Sequence, residues 1–179
     1  MGGGGGGGYL RWAAPRVDGE SARVQAINRN KRSATLNRTA PEGRELLLRL
    51  AETAGVRVEG NRPGVMARLG LGWDVLHARN PKLVMCSITG YGQDGPFAER
   101  PGHDINYIAP AGALALNGSP HRPPLPPCRP GAGPRGGRPP PSARSPRATV
   151  PVGRGEQGRW IDASMTDGAV KGREGGIAA

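Results

Sequence analysis

The sequence predicts an α/β fold built on a parallel sheet and broken by an irregular insert. Three observations lead there. A one-sided helical pattern over residues 39–54 runs directly into the β-type run VRVE (56–59); two short helical stretches follow; and KLVMCSI (82–88) is nearly continuously apolar. A strand covered on both faces reads that way. The order helix, strand, helix, helix, strand is that of an α/β layer.

Each element has its own signals. In TLNRTAPEGRELLLRLAETA, Thr39 and Glu42 have capping-box spacing and Pro41 falls in the first turn. Leu46, Leu47, Leu50, Ala51 and Ala54 recur at helical intervals, so one face is apolar as far as Gly55. After VRVE, Pro63 or Gly64 starts a short helix through Arg68, which Gly70 and Gly72 stop; Trp73 to Arg79 form a second one before Asn80-Pro81. Trp73 and Leu76 share a face and belong to the core, whereas His77 and His121 have no partners and face solvent. APAGALALNG (109–118) reads as a small-residue helix. Trp160 to Met165 reads as a strand leading into a helix start.

Composition narrows the rest. Residues 2–8 are all glycine, and residues 119–154 hold 12 of the 19 prolines, 7 arginines and no Asp or Glu. Neither stretch can bury enough apolar surface to offset its ordering entropy, so both are expected to be disordered, and the foldable part is mainly 20–118. The formal net charge of +11 divides as +5 over residues 1–118, +7 over 119–154 and −1 over 155–179. The excess therefore sits in low-complexity sequence without aromatic residues for base stacking, which argues against a nucleic-acid partner. Cys86 lies in an apolar run and Cys128 in the irregular block, so neither a disulfide framework nor a metal site is expected. No apolar stretch approaches a membrane span, and the glycine-rich start has no signal-peptide character. A cytoplasmic location without membrane contact is the expectation.

In open α/β sheets ligands sit outside the carboxyl ends of the strands. Two loops qualify, GNRPG (60–64) and TGYGQDGPFAERPGHD (89–104). The second ends in RPGHDINYIA, which gathers a histidine, an aspartate, an asparagine and a tyrosine. On its own that is a polar loop.

With its neighbours it is more. The stretch NRNKRSATLNRTAPEGRELLLRLAETAGVRVEGNRPGVMARLGLGWDVLHARNPKLVMCSITGYGQDGPFAERPGHDINYIAPAGALALNG resembles the family III CoA-transferases of CaiB/BaiF type, and GRWIDASMTDGAV resembles a later segment of them. Several motifs agree in order and spacing over about a hundred residues, where a lone GHD would be weak. GHDINY points within that family to the α-methylacyl-CoA racemase branch, since members that transfer CoA generally lack this histidine. The resemblance implies a Rossmann-like large domain, here partial, over residues 9–118, with polyglycine before it (1–8). The Pro and Arg-rich segment (119–154), a returning family segment (155–170) and a disordered tail (171–179) follow. It also implies a CoA thioester as substrate, no permanently bound cofactor, and an interlocked homodimer.

Residue by residue, the resemblance makes His103 the base that removes and returns the α-proton of an acyl-CoA, a task suited to an imidazole near neutral pH. It places Gly102, Asp104, Ile105, Asn106 and Tyr107 around the thioester. Gly60, Asn61, Arg62 and Arg68 match the loop and short helix that hold the CoA nucleotide, where guanidinium forks pair with phosphate oxygens and a helix start adds donors. Leu36, Asn37, Arg38 and Thr39 match a further contact on the adenosine side. The activities implied are 2-methylacyl-CoA racemisation, CoA transfer between carboxylic acids, or CoA binding by an inactive remnant.

Three departures qualify the resemblance. The family's first strand and helix are expected to be absent, polyglycine standing before YLRW, and the small domain is expected to be missing after residue 170. The family's essential carboxylate falls near Gly133, yet no acid lies between Asp104 and Glu156. Asp162 and Asp167 match structural or capping positions instead. Between PLPP (124–127) and GRWIDASMTDGAV the interval has about the family length but the composition of GC-rich DNA read out of frame. Two compensating frameshifts would produce that, and translating the encoding DNA in the other frames tests it: an apolar helix preceded by an Asp-Gly-rich loop is the expected product.

Overall fold

The computed structural model describes residues 9–116, 121 and 157–174. The chain divides into two compact units, Met1–Thr35 and Leu36–Ala179.

Ordered elements of the first unit begin before residue 20. A 3-10 turn, Tyr9–Trp12, precedes a two-stranded antiparallel hairpin of β1 (Arg16–Val17) and β2 (Glu20–Ser21), followed by α1 (Ala22–Ile27). Asp18 and Gly19 link the strands with φ of 50° and 82°. An Asp-Gly pair between short strands is the signature of such a turn, so this hairpin was readable from the sequence.

In the second unit, α2 (Pro41–Thr53) leads to β3 (Val56–Glu59), and α3 (Val65–Arg68) and α4 (Trp73–Arg79) lead to β4 (Val84–Thr89). Then come α5 (Asp104–Ile108), a 3-10 turn (Leu114–Leu116), β5 (Trp160–Ser164) and α6 (Met165–Glu174). The sheet order is β3-β4-β5 and both pairings are parallel, with Val56 beside Val84 and Met85 beside Trp160. Central β4 is largely apolar and is buried along its length apart from half-buried Ile88; Val84 and Cys86 are fully buried, and so is the polar Ser87.

The core lies between α2, α3, α4 and the sheet, built from Leu48, Ala51, Met66, Leu71, Leu76, Leu83 and Met85. Two contacts lock α4 onto α2. Arg79 pairs with Glu52 (2.7 Å) and Glu45 (3.3 Å), and Asn80 Nδ2 donates to the carbonyls of Ala51 and Ala54, both at 2.9 Å. The second contact satisfies carbonyls that the end of α2 leaves open.

Several expectations need correction. Ala40, not Thr39, is the N-cap of α2, because the Thr39 hydroxyl donates to Asn37 Oδ1 at 2.7 Å instead. The buried face of α2 centres on Leu48 and Ala51, leaving Leu46 and Leu50 47% and 61% exposed. Residues 104–108 are the helix, and the described part of 109–118, residues 109–116, is not an α-helix: Gly112 turns the chain at φ 72° and a single 3-10 turn follows. His77 does not face open solvent, since its ring stacks on Trp73 at 4.5 Å and its Nδ1 is buried without a partner. α6 runs past residue 170 to Glu174. Cys128, PLPP and nearly all of 119–154 lie outside the described residues. No described helix is long and apolar enough to cross a membrane.

Candidate functional site

The two loops named from sequence do leave the carboxyl ends of neighbouring parallel strands, β3 and β4. After β3, Glu59 Oε2 accepts hydrogen bonds from the backbone N–H of Asn61 (2.8 Å) and from its Nδ2 (2.7 Å), fixing the turn at Gly60. Arg62 is exposed beyond it. Gly64 starts α3 in the left-handed region, φ 75°, and the Arg68 guanidinium folds back to within 3.1 Å of where a Gly64 Cβ would stand. α3 is one turn only, so its dipole adds little and the arginines carry the positive charge.

The stretch Leu36 to Thr39 reaches the same place. Arg38 Nη1 lies 3.6 Å from Sδ of Met66, the buried residue of α3. Asn37 Oδ1 accepts from the Thr39 N–H (3.2 Å) as well as from its hydroxyl, making a tight local turn. That turn presses against α2 at Gly43, where a Cβ would fall 2.0 Å from the Asn37 carbonyl oxygen. Behind it Arg57 is partly buried and donates to the Leu71 carbonyl at 3.2 Å. Burial holds its pKa below the ordinary guanidinium value; Glu59 opposes this and the positive charge of Arg38 adds to it. Arg38, Arg62 and Arg68 form no ion pair among the described residues. An anion with several oxygens suits this end of the sheet.

The loop after β4 is tied to β5 and α6. Thr166 donates twice to the Gly90 carbonyl, from N at 3.0 Å and Oγ1 at 2.9 Å, and Asp162 Oδ2 accepts from the Gln93 N–H at 2.8 Å. Ser164 Oγ accepts from the Asp167 N–H at 3.1 Å, as an N-cap does. The Asp162 carboxylate thus has a structural partner, while at Asp167 it is the backbone N–H that is capped, by Ser164.

His103 is the N-cap of α5, and its backbone N–H donates to Asn106 Oδ1 at 3.0 Å. His103, Asp104, Ile105 and Asn106 are exposed, Tyr107 half-buried. The Tyr107 ring lies across Gly90 and Gly102, where Cβ atoms would come within 2.1 and 2.8 Å of its Cε1, and its hydroxyl donates to the Gly102 carbonyl. Tyr91 meets the ring edge-on, centroids 5.1 Å apart, and donates its own hydroxyl to the Asn106 carbonyl at 3.2 Å. Burial first, then Tyr91 and Asp104, hold the Tyr107 pKa above the ordinary phenol value, while Arg62 pulls it down.

Beside α5 lies a cavity of about 410 Å³ lined by Tyr91, Phe97, Arg100, Ile105, Asn106, Ala109, Pro110 and Leu114. Sequence reasoning missed Tyr91, Arg57 and this cavity. The aromatic between the glycines of TGYGQDG was the available signal for Tyr91; nothing in the sequence marks Arg57 as interior. The position near Gly133, where a carboxylate was looked for, lies outside the described residues.

Comparison with known proteins gives this geometry a context. Residues 4–134 match the family model described as CoA-transferase family III. The chain is 41% identical over 123 residues to the succinyl-CoA–L-malate CoA-transferase beta subunit of Chloroflexus aurantiacus, covering 69% of this chain and 30% of that protein. It is 41% identical over 105 residues to the human alpha-methylacyl-CoA racemase, covering 58% and 28%. Among solved structures, a CAIB/BAIF family protein from Brucella suis matches at TM-score 0.75 with 32% identity, over 90% of this chain and 44% of that one. Rv3272 from Mycobacterium tuberculosis matches at TM-score 0.79 with 29% identity, over 97% and 49%. The chain spans under a third of each of these two curated relatives and about half of each of these solved chains. A transferase and a racemase match at the same identity, so the branch that GHDINY points to is not resolved.

Proposed function

The chain belongs to CoA-transferase family III, and from that premise we propose that it binds an acyl-CoA thioester whose CoA is transferred between carboxylic acids. The observation that carries this reading is the placement of Arg38 and Arg68 against α3, with Arg62 exposed in the loop that leads into it. The arginines suit the phosphates of a CoA nucleotide, and the groups around Tyr107 suit the thioester end. The match to relatives named as CoA-transferases favours transfer over racemisation. Transfer requires an accepting carboxylate, and residues 105–155 contain none.

A second reading, α-proton exchange, is favoured by one observation. His103 stands exposed at the start of α5 with its backbone fixed by Asn106, where its imidazole is accessible to a substrate. The test is to incubate the chain with succinyl-CoA and a second carboxylic acid and follow new thioesters by mass spectrometry. Deuterium incorporation at the α-carbon of a 2-methylacyl-CoA is measured in parallel. New thioester supports transfer; exchange that His103→Ala abolishes supports proton chemistry instead. Neither, with CoA still bound, leaves a CoA-binding remnant and removes both reactions.

A further inference from the structure

We propose that β3 is a docking edge for a second copy of this chain, the two β3 strands pairing antiparallel about a two-fold axis at Val58. This goes beyond the acyl-CoA reading and does not depend on it.

Among the described residues β3 is an edge of the sheet, paired with β4 alone. The Val84 N–H donates to the Gly55 carbonyl at 3.0 Å. In a parallel ladder alternate residues address the same neighbour, so the backbone groups of Arg57 and Glu59 also face β4. Those of Val56 and Val58 point away from the sheet, and the side chains of the same two residues are 37% and 57% exposed. The strand VRVE keeps one unbroken register and contains no Pro or Lys to blunt it. Such an edge is a template for another strand.

Charge selects the occupant and the register. A second VRVE, running antiparallel, meets the outward groups of Val56 and Val58 when the two-fold axis passes through a residue of the strand. An axis at Arg57 sets two guanidiniums opposite each other and an axis at Glu59 two carboxylates, and like charges directly opposite are destabilising. An axis at Val56 leaves Arg57 opposite Gly55. The axis at Val58 sets Arg57 opposite Glu59 of the second copy, twice, at the closely spaced positions where side chains meet. It also joins Val58 to its own copy, and Val56 to Gly60, through the outward N–H and C=O groups. Both charges are available for this. Arg57 and Glu59 are half-buried and form no ion pair among the described residues. Their hydrogen bonds use Nη1 and Oε2, which leaves Nη2 and Oε1 for the second copy. The contact is isologous and joins two sheets edge to edge, unlike the interlocked pair that the family resemblance implies.

The experiment is sedimentation of the 179-residue chain and its variants. The parent is expected to move from monomer to dimer with concentration, as suits a small contact. Glu59→Arg alone and Arg57→Glu alone should each weaken the dimer about tenfold or more, since each sets like charges opposite. An equal mixture of the two should restore it, because every cross-strand pair is then of opposite sign. A cross-link reads the register independently of how well those variants fold. In a Cys128→Ser background, Val58→Cys should form a disulfide-linked dimer on mild oxidation, its two copies facing each other at about 5.5 Å between Cα atoms. Val56→Cys should not, its two copies standing about 13 Å apart along the strands. A parent chain that stays monomeric at about 100 µM, a dimer that both charge variants keep on their own, or a cross-link as ready at Val56 as at Val58 overturns the proposal.

Discussion

Replacing a helical glycine by alanine ordinarily stabilises a protein by about 1 kcal/mol. At Gly43 the sign should reverse. A Cβ there would lie 2.0 Å from the Asn37 carbonyl oxygen, 2.8 Å from its carbon and 3.3 Å from its nitrogen. All three are backbone atoms, so no rotamer change relieves the contact. Reaching ordinary separation means moving the 36–39 turn about 1.5 Å off α2. Overpacking that shifts backbone costs up to about 3 kcal/mol, so after the propensity gain Gly43→Ala should be destabilised by about 2 kcal/mol. Because Arg38 travels with the turn, CoA affinity should also fall about tenfold, the scale of one charged hydrogen bond. Urea unfolding and CoA titration read the two effects. Gly55→Ala is the control, since a Cβ there meets nothing within 4 Å. A Gly43→Ala chain at least as stable as the parent, with unchanged CoA affinity, would refute the idea that this close approach positions Arg38.

Two further outcomes follow from Tyr107. Gly90→Ala puts a Cβ 2.1 Å from the ring; displacing the ring costs about 2–4 kcal/mol through overpacking and the lost edge contact with Tyr91. A double-mutant cycle with Tyr107→Ala, read by urea unfolding, should recover most of that cost. The second outcome concerns alkaline pH. Burial, Tyr91 and Asp104 raise the Tyr107 pKa in the folded chain. An unfolded tyrosine ionises near about pH 10, so above that pH the unfolded state binds fewer protons and stability declines. The contribution is fully present below about pH 10 and is lost as pH rises through the folded value. Unfolding midpoints of the parent chain and Tyr107→Phe should therefore converge as pH rises above about 10; parallel curves would contradict the assigned shift.

Much of the fold was legible because periodicity reports burial. VRVE and the Trp73–Arg79 helix carry the bounds they were given, and within KLVMCSI the strand Val84–Thr89 is buried almost throughout, as its apolar run implies. What failed was local competition. Thr39 was taken as a cap, but its hydroxyl is used by Asn37, and a helix was expected at 109–118 where Gly112 breaks it. The β1–β2 hairpin was passed over although Asp18-Gly19 signals it. At the candidate site, the loops that carry Arg62, Arg68 and His103 leave the carboxyl ends of β3 and β4, as the order of elements implies. That Arg38 reaches Met66, that Tyr107 lies across Gly90 and Gly102, and that Arg100 lies on Phe97 at a cavity are tertiary facts. No pattern along the chain encodes them.

The central claim is that Arg38, Arg62 and Arg68 hold the CoA phosphates, and it is tested most directly by titrating 3′,5′-adenosine diphosphate into the chain. The account predicts saturable one-to-one binding that weakens steeply with salt and is lost in the Arg62→Ala, Arg68→Ala double variant while the unfolding midpoint stays put. Binding of equal strength in the double variant, or none in the parent chain, would contradict it.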